Sequence, residues 1–196
     1  MNRTNQTTVY LVRHAHSVYT PDEYRRGLSE KGWTDQEMLT DLMKNEQVDV
    51  VFSSPYMRAI QTVEGIARHI NREVHVIEAL KERTLASGPV NDFNEAIASV
   101  WNNECFHLPG GESNEIARQR GAQALINILH TYKGKSIVIG THGNILVLMM
   151  SYFDQSYDVN FWRSLDMPDV YRLTFDGKTL CEVKQIWRRT KRNEGA

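Results

Sequence analysis

The sequence predicts an α/β domain, a three-layer sandwich in which a mostly parallel central sheet carries helices on both faces. Three observations carry that expectation. Short apolar runs rich in β-branched residues recur at 9–12, 48–52, 74–77 and 136–139, as strands buried on both faces require. Longer segments with apolar residues at helical spacing separate them, so strand and helix alternate along the chain. Two further strand-like runs, 169–175 and 180–187, flank Asp176-Gly177, a hairpin signal that adds antiparallel pairing. With 196 residues, no internal repeat and no Gly/Pro/Ser-rich linker, one domain is expected over 1–196, its core at about 8–187 and a basic tail at 188–196.

The first strand, Val9-Tyr10-Leu11-Val12, stops abruptly at Arg13-His14-Ala15-His16-Ser17. After a polar connection at 17–27, Leu28-Ser29-Glu30-Lys31-Gly32 reads as a helix start capped by Ser29, with Trp33, Leu39, Leu42 and Met43 as the buried stripe. The second strand ends at Ser53-Ser54-Pro55, where a capping serine and a first-turn proline start the next helix. Ala59, Ile60, Val63, Ile66, Ala67 and Ile70 then form the clearest amphipathic face of the chain. Past the third strand, 83–111 is irregular, with a short helix near 93–101 and then Pro109-Gly110-Gly111. A longer helix follows, with Ala117, Gly121, Ala124, Leu125, Ile128, Leu129 and Tyr132 on one face. The fourth strand leads into Thr141-His142-Gly143-Asn144 and an apolar helix at 145–150.

Charge is near balance, 23 basic against 24 acidic side chains, so no global field calls for nucleic acid or a membrane surface as partner. The dense basic run Arg188-Arg189-Thr190-Lys191-Arg192 reads as a solvated tail. The opening stretch, 1–8, is polar and lacks the apolar core of a signal peptide, and no apolar run has the length to span a bilayer. Cys105 and Cys181 are far apart and in no metal-ligand spacing, as reduced thiols would be. A soluble, cytoplasmic protein is expected.

The unusual polar residues fall at strand ends. Arg13 and His14 follow the first strand, Ser53-Ser54 and Arg58 the second, Glu82 the third, and Thr141-His142-Gly143 the fourth. Parallel strands deliver all of these to one edge of the sheet, where α/β proteins bind ligands. The chemistry suits a phosphate. Guanidinium forks grip phosphoryl oxygens bidentately, and helix starts at Arg58 and Gly143 offer backbone N–H donors. His14 suits a nucleophile if its other ring nitrogen donates to a backbone carbonyl, His142 a second clamp, and Glu82 the acid for a departing alkoxide.

With these motifs assembled, the chain resembles the histidine phosphatase superfamily in its phosphoglycerate-mutase-like branch. The family's Arg-His-Gly corresponds to Arg13-His14-Ala15, and its Leu-Ser-x-x-Gly to Leu28-Ser29-Glu30-Lys31-Gly32. Its long Ser-Ser-Pro segment appears as Ser53-Ser54-Pro55-Tyr56-Met57-Arg58-Ala59-Ile60-Gln61-Thr62, its Gly-Glu-Ser as Gly111-Glu112-Ser113, and its late Ser-His-Gly as Thr141-His142-Gly143. The resemblance implies a phosphoglycerate mutase-like fold and a metal-independent, cofactor-free phosphomonoester hydrolase. His14 would become a phosphohistidine, Arg13, Arg58, His142 and Gly143 would bind the phosphoryl group, and Glu82 would be the acid, with Glu78 as its rival. Its partner would be a small phosphomonoester or phosphorylated metabolite.

Three departures bear on the pocket: Ala15 replaces a glycine, His16 stands where an acidic or amide side chain is common, and Thr20 where many members place an asparagine. Mutase-type phosphoryl transfer and a non-catalytic phospho-ligand module are the alternatives. A metal pair at His14 and His16 lacks an acidic or thiol cluster to complete it. Gly134-Lys135-Ser136 precedes its strand and lacks the first glycine of a phosphate loop, so it is a turn. Phe93, Trp101 and Phe106 suit a lid over the substrate or ordinary core.

Overall fold

The computed structural model describes residues 6–188. Its first strand, β1 (Gln6–Arg13), buries every side chain from Val9 to Val12, and alternate residues serve opposite faces. Val9 and Leu11 join one apolar cluster, Tyr10 and Val12 another. The same division holds in β4 (Ser136–Thr141), where Ile137 and Ile139 oppose Val138. A strand coated on both faces needs a layer of helix on each side, which is the three-layer architecture.

The other strands are β2 (Val50–Ser53), β3 (Val74–Val76), β5 (Asp169–Asp176) and β6 (Thr179–Gln185), and the sheet runs β3-β2-β4-β1-β5-β6. β3, β2, β4 and β1 are mutually parallel, while β5 runs antiparallel to β1 and β6 to β5. The hairpin at Asp176-Gly177 therefore sits where its turn signal put it. Helices α1 (Glu30–Met43) and α2 (Met57–His69) cover the face of Tyr10 and Val12. Across the sheet, α4 (Asn114–Thr131) and α5 (Gly143–Phe153) cover the face of Val9 and Leu11. The chain thus leaves β1 toward one face and β4, its neighbour, toward the other. That divergence opens a crevice at the carboxyl ends of β1 and β4.

Ser29 caps α1 as expected, its hydroxyl accepting from the Gly32 amide at 3.1 Å. The stripe of α1 is rotated from expectation. Trp33 faces solvent, while Gly32, Asp35 and Gln36 are buried with Leu39 and Met43. The cause is a close approach to α2: a Cβ on Gly65 would lie 2.1 Å from Gln36 Nε2 and 2.4 Å from Thr40 Oγ1. That contact turns a polar row inward and Trp33 outward. The expected serine cap of α2 is also displaced, since the capping position is Tyr56, with no side-chain bond. Ser54 Oγ accepts the Tyr56 amide at 3.2 Å just ahead of the helix, and also lies 2.7 Å from His142 Nε2.

Residues 83–111 contain α3 (Phe93–Asn102), which turns Ala96, Ile97 and Val100 inward. The base of the excursion is pinned by Glu112 N–H to Thr84 O at 2.7 Å and Ser87 N–H to Pro109 O at 3.1 Å. Gly110, at φ +66°, makes the turn between them. Phe93 and Phe106 are exposed, and Phe106 lines a cavity of about 550 Å³ with Ser87 and Asp92, whereas Trp101 packs on the core. A short helix, α6 (Val159–Ser164), has no counterpart in the expectations; at six residues with none buried, it leaves no periodicity to detect. From residue 189 on, the basic run lies outside the described residues, as do residues 1–5 of the polar opening stretch. Among the described residues, no helix is long and apolar enough to cross a membrane.

Candidate active site

His14 continues the β1 ladder, its amide donating to Thr141 O at 2.9 Å, and so stands at the mouth of the crevice with the ring nearly buried. Its Nδ1 lies 2.7 Å from the Ala15 carbonyl oxygen. A carbonyl only accepts, so the proton belongs on Nδ1 and the Nε2 lone pair is free of one. Burial drives the imidazole pKa down to about 3, and the neighbouring Arg58 guanidinium pushes the same way. Ala15 fits without strain: among the described residues the one non-glycine with positive φ is Asn71. Its amide donates to Thr62 Oγ1 at 3.0 Å.

This geometry has a pH consequence. A nitrogen-15 NMR titration of the ligand-free protein is expected to keep His14 neutral, with its proton on Nδ1, at pH 5 and below, down toward its pKa of about 3. An imidazole that protonates near its ordinary 6.5 would overturn the assignment.

Arg58, on the first turn of α2 and 4 % exposed, donates from Nε to His14 Nε2 at 3.3 Å. Its other two nitrogens hold Glu23, NH1 on the carbonyl oxygen at 3.0 Å and NH2 on the carboxylate at 2.9 Å. Arg13 is anchored from the far side, NH1 donating to Leu165 O at 3.0 Å and Asp166 O at 3.1 Å. Its Nε is buried with no partner. The 165–166 turn is held in place by Asp169, whose carboxylate accepts the Asp166 amide at 3.0 Å and is register-paired with Arg13 across β1 and β5. Gly143 lies against that guanidinium: a Cβ there would stand 3.1 Å from Trp162 Nε1 and 3.3 Å from Arg13 Nε. A side chain there would press on both groups, so the glycine lets the arginine and the helix start meet closely.

His142 is fully buried, and its ring meets the His14 ring edge-on at 5.2 Å. Ser54 Oγ lies 2.7 Å from its Nε2, and Nδ1 is buried without a partner. Burial, then the charges near it, hold the ring well below the ordinary imidazole range, so it is a neutral hydrogen-bonding group in the free protein and not a cation. Tyr56, against the His142 ring at 4.9 Å and under the Arg58 guanidinium at 4.8 Å, completes an aromatic floor the sequence reading did not single out.

Glu82 meets this group through α5. Its Oε2 accepts the Asn144 amide at 3.0 Å, and its Oε1 accepts Ile145 N–H at 2.9 Å and Arg83 N–H at 2.8 Å. The helix starts are therefore less open than expected. Glu82 takes two first-turn amides of α5, though not that of Gly143, and the Met57 amide of α2 donates to Tyr24 O at 2.8 Å. Glu112 clasps Arg120 through both oxygens, at 2.8 and 2.7 Å, and Arg120 NH1 donates to the carbonyls of Ala79 and Lys81. That clasp fixes the turn from which Glu82 projects. The rival Glu78 sits at the surface, accepting from Tyr24 OH at 2.8 Å and Lys81 Nζ at 2.9 Å.

His14, Arg13, Arg58, His142, Gly143 and Glu82 are thus joined by direct contacts or through one intervening residue. Glu23, Asp169, Tyr56 and Trp162 are further members. His16 turns away, its Nδ1 2.8 Å from Ser29 Oγ, and Thr20 donates to Asp22 O at 3.1 Å. Among the described residues, no group of three or more His, Cys, Asp or Glu is arranged to hold a metal ion.

Comparison with known proteins gives a consistent result. The family model described as histidine phosphatase superfamily (branch 1) matches residues 9–186. A Hydrogenobacter thermophilus protein that bears a phosphoserine phosphatase name is 22 % identical over 200 residues, covering 91 % of this chain and 98 % of its own. Among solved structures, the Entamoeba histolytica phosphoserine phosphatase in complex with 3-phosphoglyceric acid superposes with a TM-score of 0.77 at 20 % identity, over 93 % of this chain and 98 % of that one. A mycobacterial glucosyl-3-phosphoglycerate phosphatase does so with a TM-score of 0.74 at 16 % identity, over 92 % and 97 %.

Proposed function

The chain belongs to the histidine phosphatase superfamily, branch 1, and from that premise we propose that it hydrolyses phosphomonoesters by passing the phosphoryl group first to His14 Nε2 and then to water. The observation that carries this reading is the His14 ring itself. Its Nδ1 proton is held by the Ala15 carbonyl, and its unprotonated Nε2 faces the guanidinium of Arg58. Arg58 and Arg13 hold the equatorial oxygens, the Gly143 amide and neutral His142 add hydrogen bonds, and Glu82 gives its proton to the departing alkoxide. In the second half, water attacks the phosphorus of the phosphohistidine, its proton goes to Glu82, and inorganic phosphate leaves. The positive charge this chemistry needs is supplied by arginine, so the reaction proceeds without a metal ion.

The substrate is a small phosphorylated metabolite. Phosphoserine and glucosyl-3-phosphoglycerate, named for the relatives, define the class to screen first. A cytoplasmic setting is supported by two exposed, unpaired cysteines, which fit a reducing compartment. We read residues 1–196 as one domain.

Hydrolysis is favoured over mutase transfer because the excursion at 83–111 is short, and family mutases resemble this chain but carry a much longer insertion there. With excess EDTA, 3-phosphoglycerate and trace bisphosphoglycerate, the expected product is inorganic phosphate. Rapid formation of 2-phosphoglycerate with little free phosphate would show a mutase, and activity lost to EDTA and restored by a divalent metal would overturn the metal-free mechanism.

A further inference from the structure

One carboxylate in the ligand-free site stands where an anionic substrate needs room. Glu23, on the connection between β1 and α1, accepts from Arg58 NH2 at 2.9 Å through one oxygen and from Arg26 NH2 through the other. Its backbone carbonyl takes Arg58 NH1 at 3.0 Å, and Arg58 Nε is on His14 Nε2. Every nitrogen of the Arg58 guanidinium is therefore engaged by the protein. Arg26 joins Arg58 and Arg13 in depressing the His14 pKa, so all three cations bear on the same ring.

The members of this contact differ in freedom. The Arg58 side chain is 4 % exposed and that of Arg26 15 %, whereas Glu23 is 45 % exposed. The backbone of the connection is tied down, Asp22 accepting the amides of Tyr24 and Arg25, Tyr24 O accepting the Met57 amide and Ser17 bridging to Leu28, so the freedom lies in the Glu23 side chain. One buried and one partly buried cation bridged by a solvent-side carboxylate make an exchangeable arrangement: a phosphomonoester brings up to two negative charges and three oxygens, against one charge and two oxygens.

We infer that Glu23 is a built-in competitor of the substrate, occupying in the free protein guanidinium donors of Arg58 and Arg26 that the phosphoryl group takes over when it binds. The inference rests on the phosphatase reading and adds to it a residue that sets affinity. It also assigns Arg26 to the site, as a cation released to the substrate when Glu23 leaves. The opposite role, a counter-ion that merely holds Arg58 in position, predicts the opposite sign.

The test is the affinity of Glu23→Gln and Glu23→Ala for inorganic phosphate and orthovanadate by titration calorimetry, with KM and kcat measured alongside. Loss of a competing exposed carboxylate should tighten oxyanion binding by about 5-fold and lower KM in step. Weaker binding with a raised KM, or no change, would overturn the inference. Should removal of the counter-ion unfold the protein, Glu23→Asp, which withdraws the charge by one methylene, tests the same sign. If the wild-type protein turns over phosphomonoesters while the variants fail to bind more tightly, this inference alone falls. If the wild type binds neither oxyanion, the phosphatase reading falls and takes this one with it.

Discussion

His14→Ala is expected to remove turnover of every phosphomonoester, alkyl and aryl alike, by at least about 10⁴-fold. The size of the loss follows from how completely the site is built around one atom. The Ala15 carbonyl fixes the tautomer, burial keeps the ring neutral with a pKa of about 3, and Arg58 donates to Nε2 at 3.3 Å. On the proposed mechanism, the arginines and His142 should still hold a phosphate once the imidazole is gone, with nothing in line to receive it. The protein should therefore keep oxyanion binding while losing chemistry. Rapid quench with a labelled phosphomonoester is expected to trap an acid-labile phosphoryl-protein in the wild type and none in His14→Ala. Equal labelling of both proteins would move the nucleophile elsewhere. Tight binding without turnover in the wild type would make the chain a phospho-ligand module.

The architecture was legible because strands buried on both faces leave a strong mark: β1, β2 and β4 are short apolar runs that cannot be solvated. Helix positions followed from periodicity, yet the facing of α1 did not. Its inward row is set by the contact of Gly65 with Gln36 and Thr40, and such contacts between distant segments favour polar residues that a hydrophobic pattern assigns to the surface. Ser54 illustrates the same limit. Its sequence context is a helix cap, and its hydroxyl accepts the Tyr56 amide at 3.2 Å, but the same hydroxyl also lies 2.7 Å from the ring of His142, far away in the chain.

The proposed reacting groups stood out because arginine and histidine at the end of an apolar strand are anomalous. Their supports did not. Asp169 opens β5 and looks like an ordinary strand-end residue, yet it holds the turn that anchors Arg13. Glu23 is one charge in a loop that also contains Asp22, Arg25 and Arg26, and only the fold selects it as the partner of Arg58. Trp162 lies on a helix too short to show a period, and the route to it is the missing side chain of Gly143.

Glu82→Gln is expected to slow hydrolysis of alkyl phosphates by roughly 10²–10⁴-fold and that of an activated aryl phosphate far less. An alkoxide leaves poorly without a proton; an activated aryl oxide does not need one. The structure gives the residue a second task that this comparison must separate from the first. Its oxygens accept three backbone N–H groups, from Arg83, Asn144 and Ile145. To act as the acid, Glu82 must carry a proton on one oxygen and trade an amide of α5 for the leaving oxygen of the substrate. Glutamine keeps one acceptor but turns an NH₂ toward a backbone N–H, so the variant should also melt at a lower temperature than the wild type. The ratio of the two rate effects therefore reads the role, and neither effect alone does. A loss confined to the alkyl substrate marks proton transfer. The same factor on both substrates would reduce Glu82 to an anchor for the start of α5, misplacing Gly143 and His142 together. Glu78→Gln is the control, since Glu78 is exposed and its carboxylate is bound by Lys81 and Tyr24 at the surface. It should leave both rates near wild type, and a selective loss of alkyl turnover there would transfer the acid to Glu78.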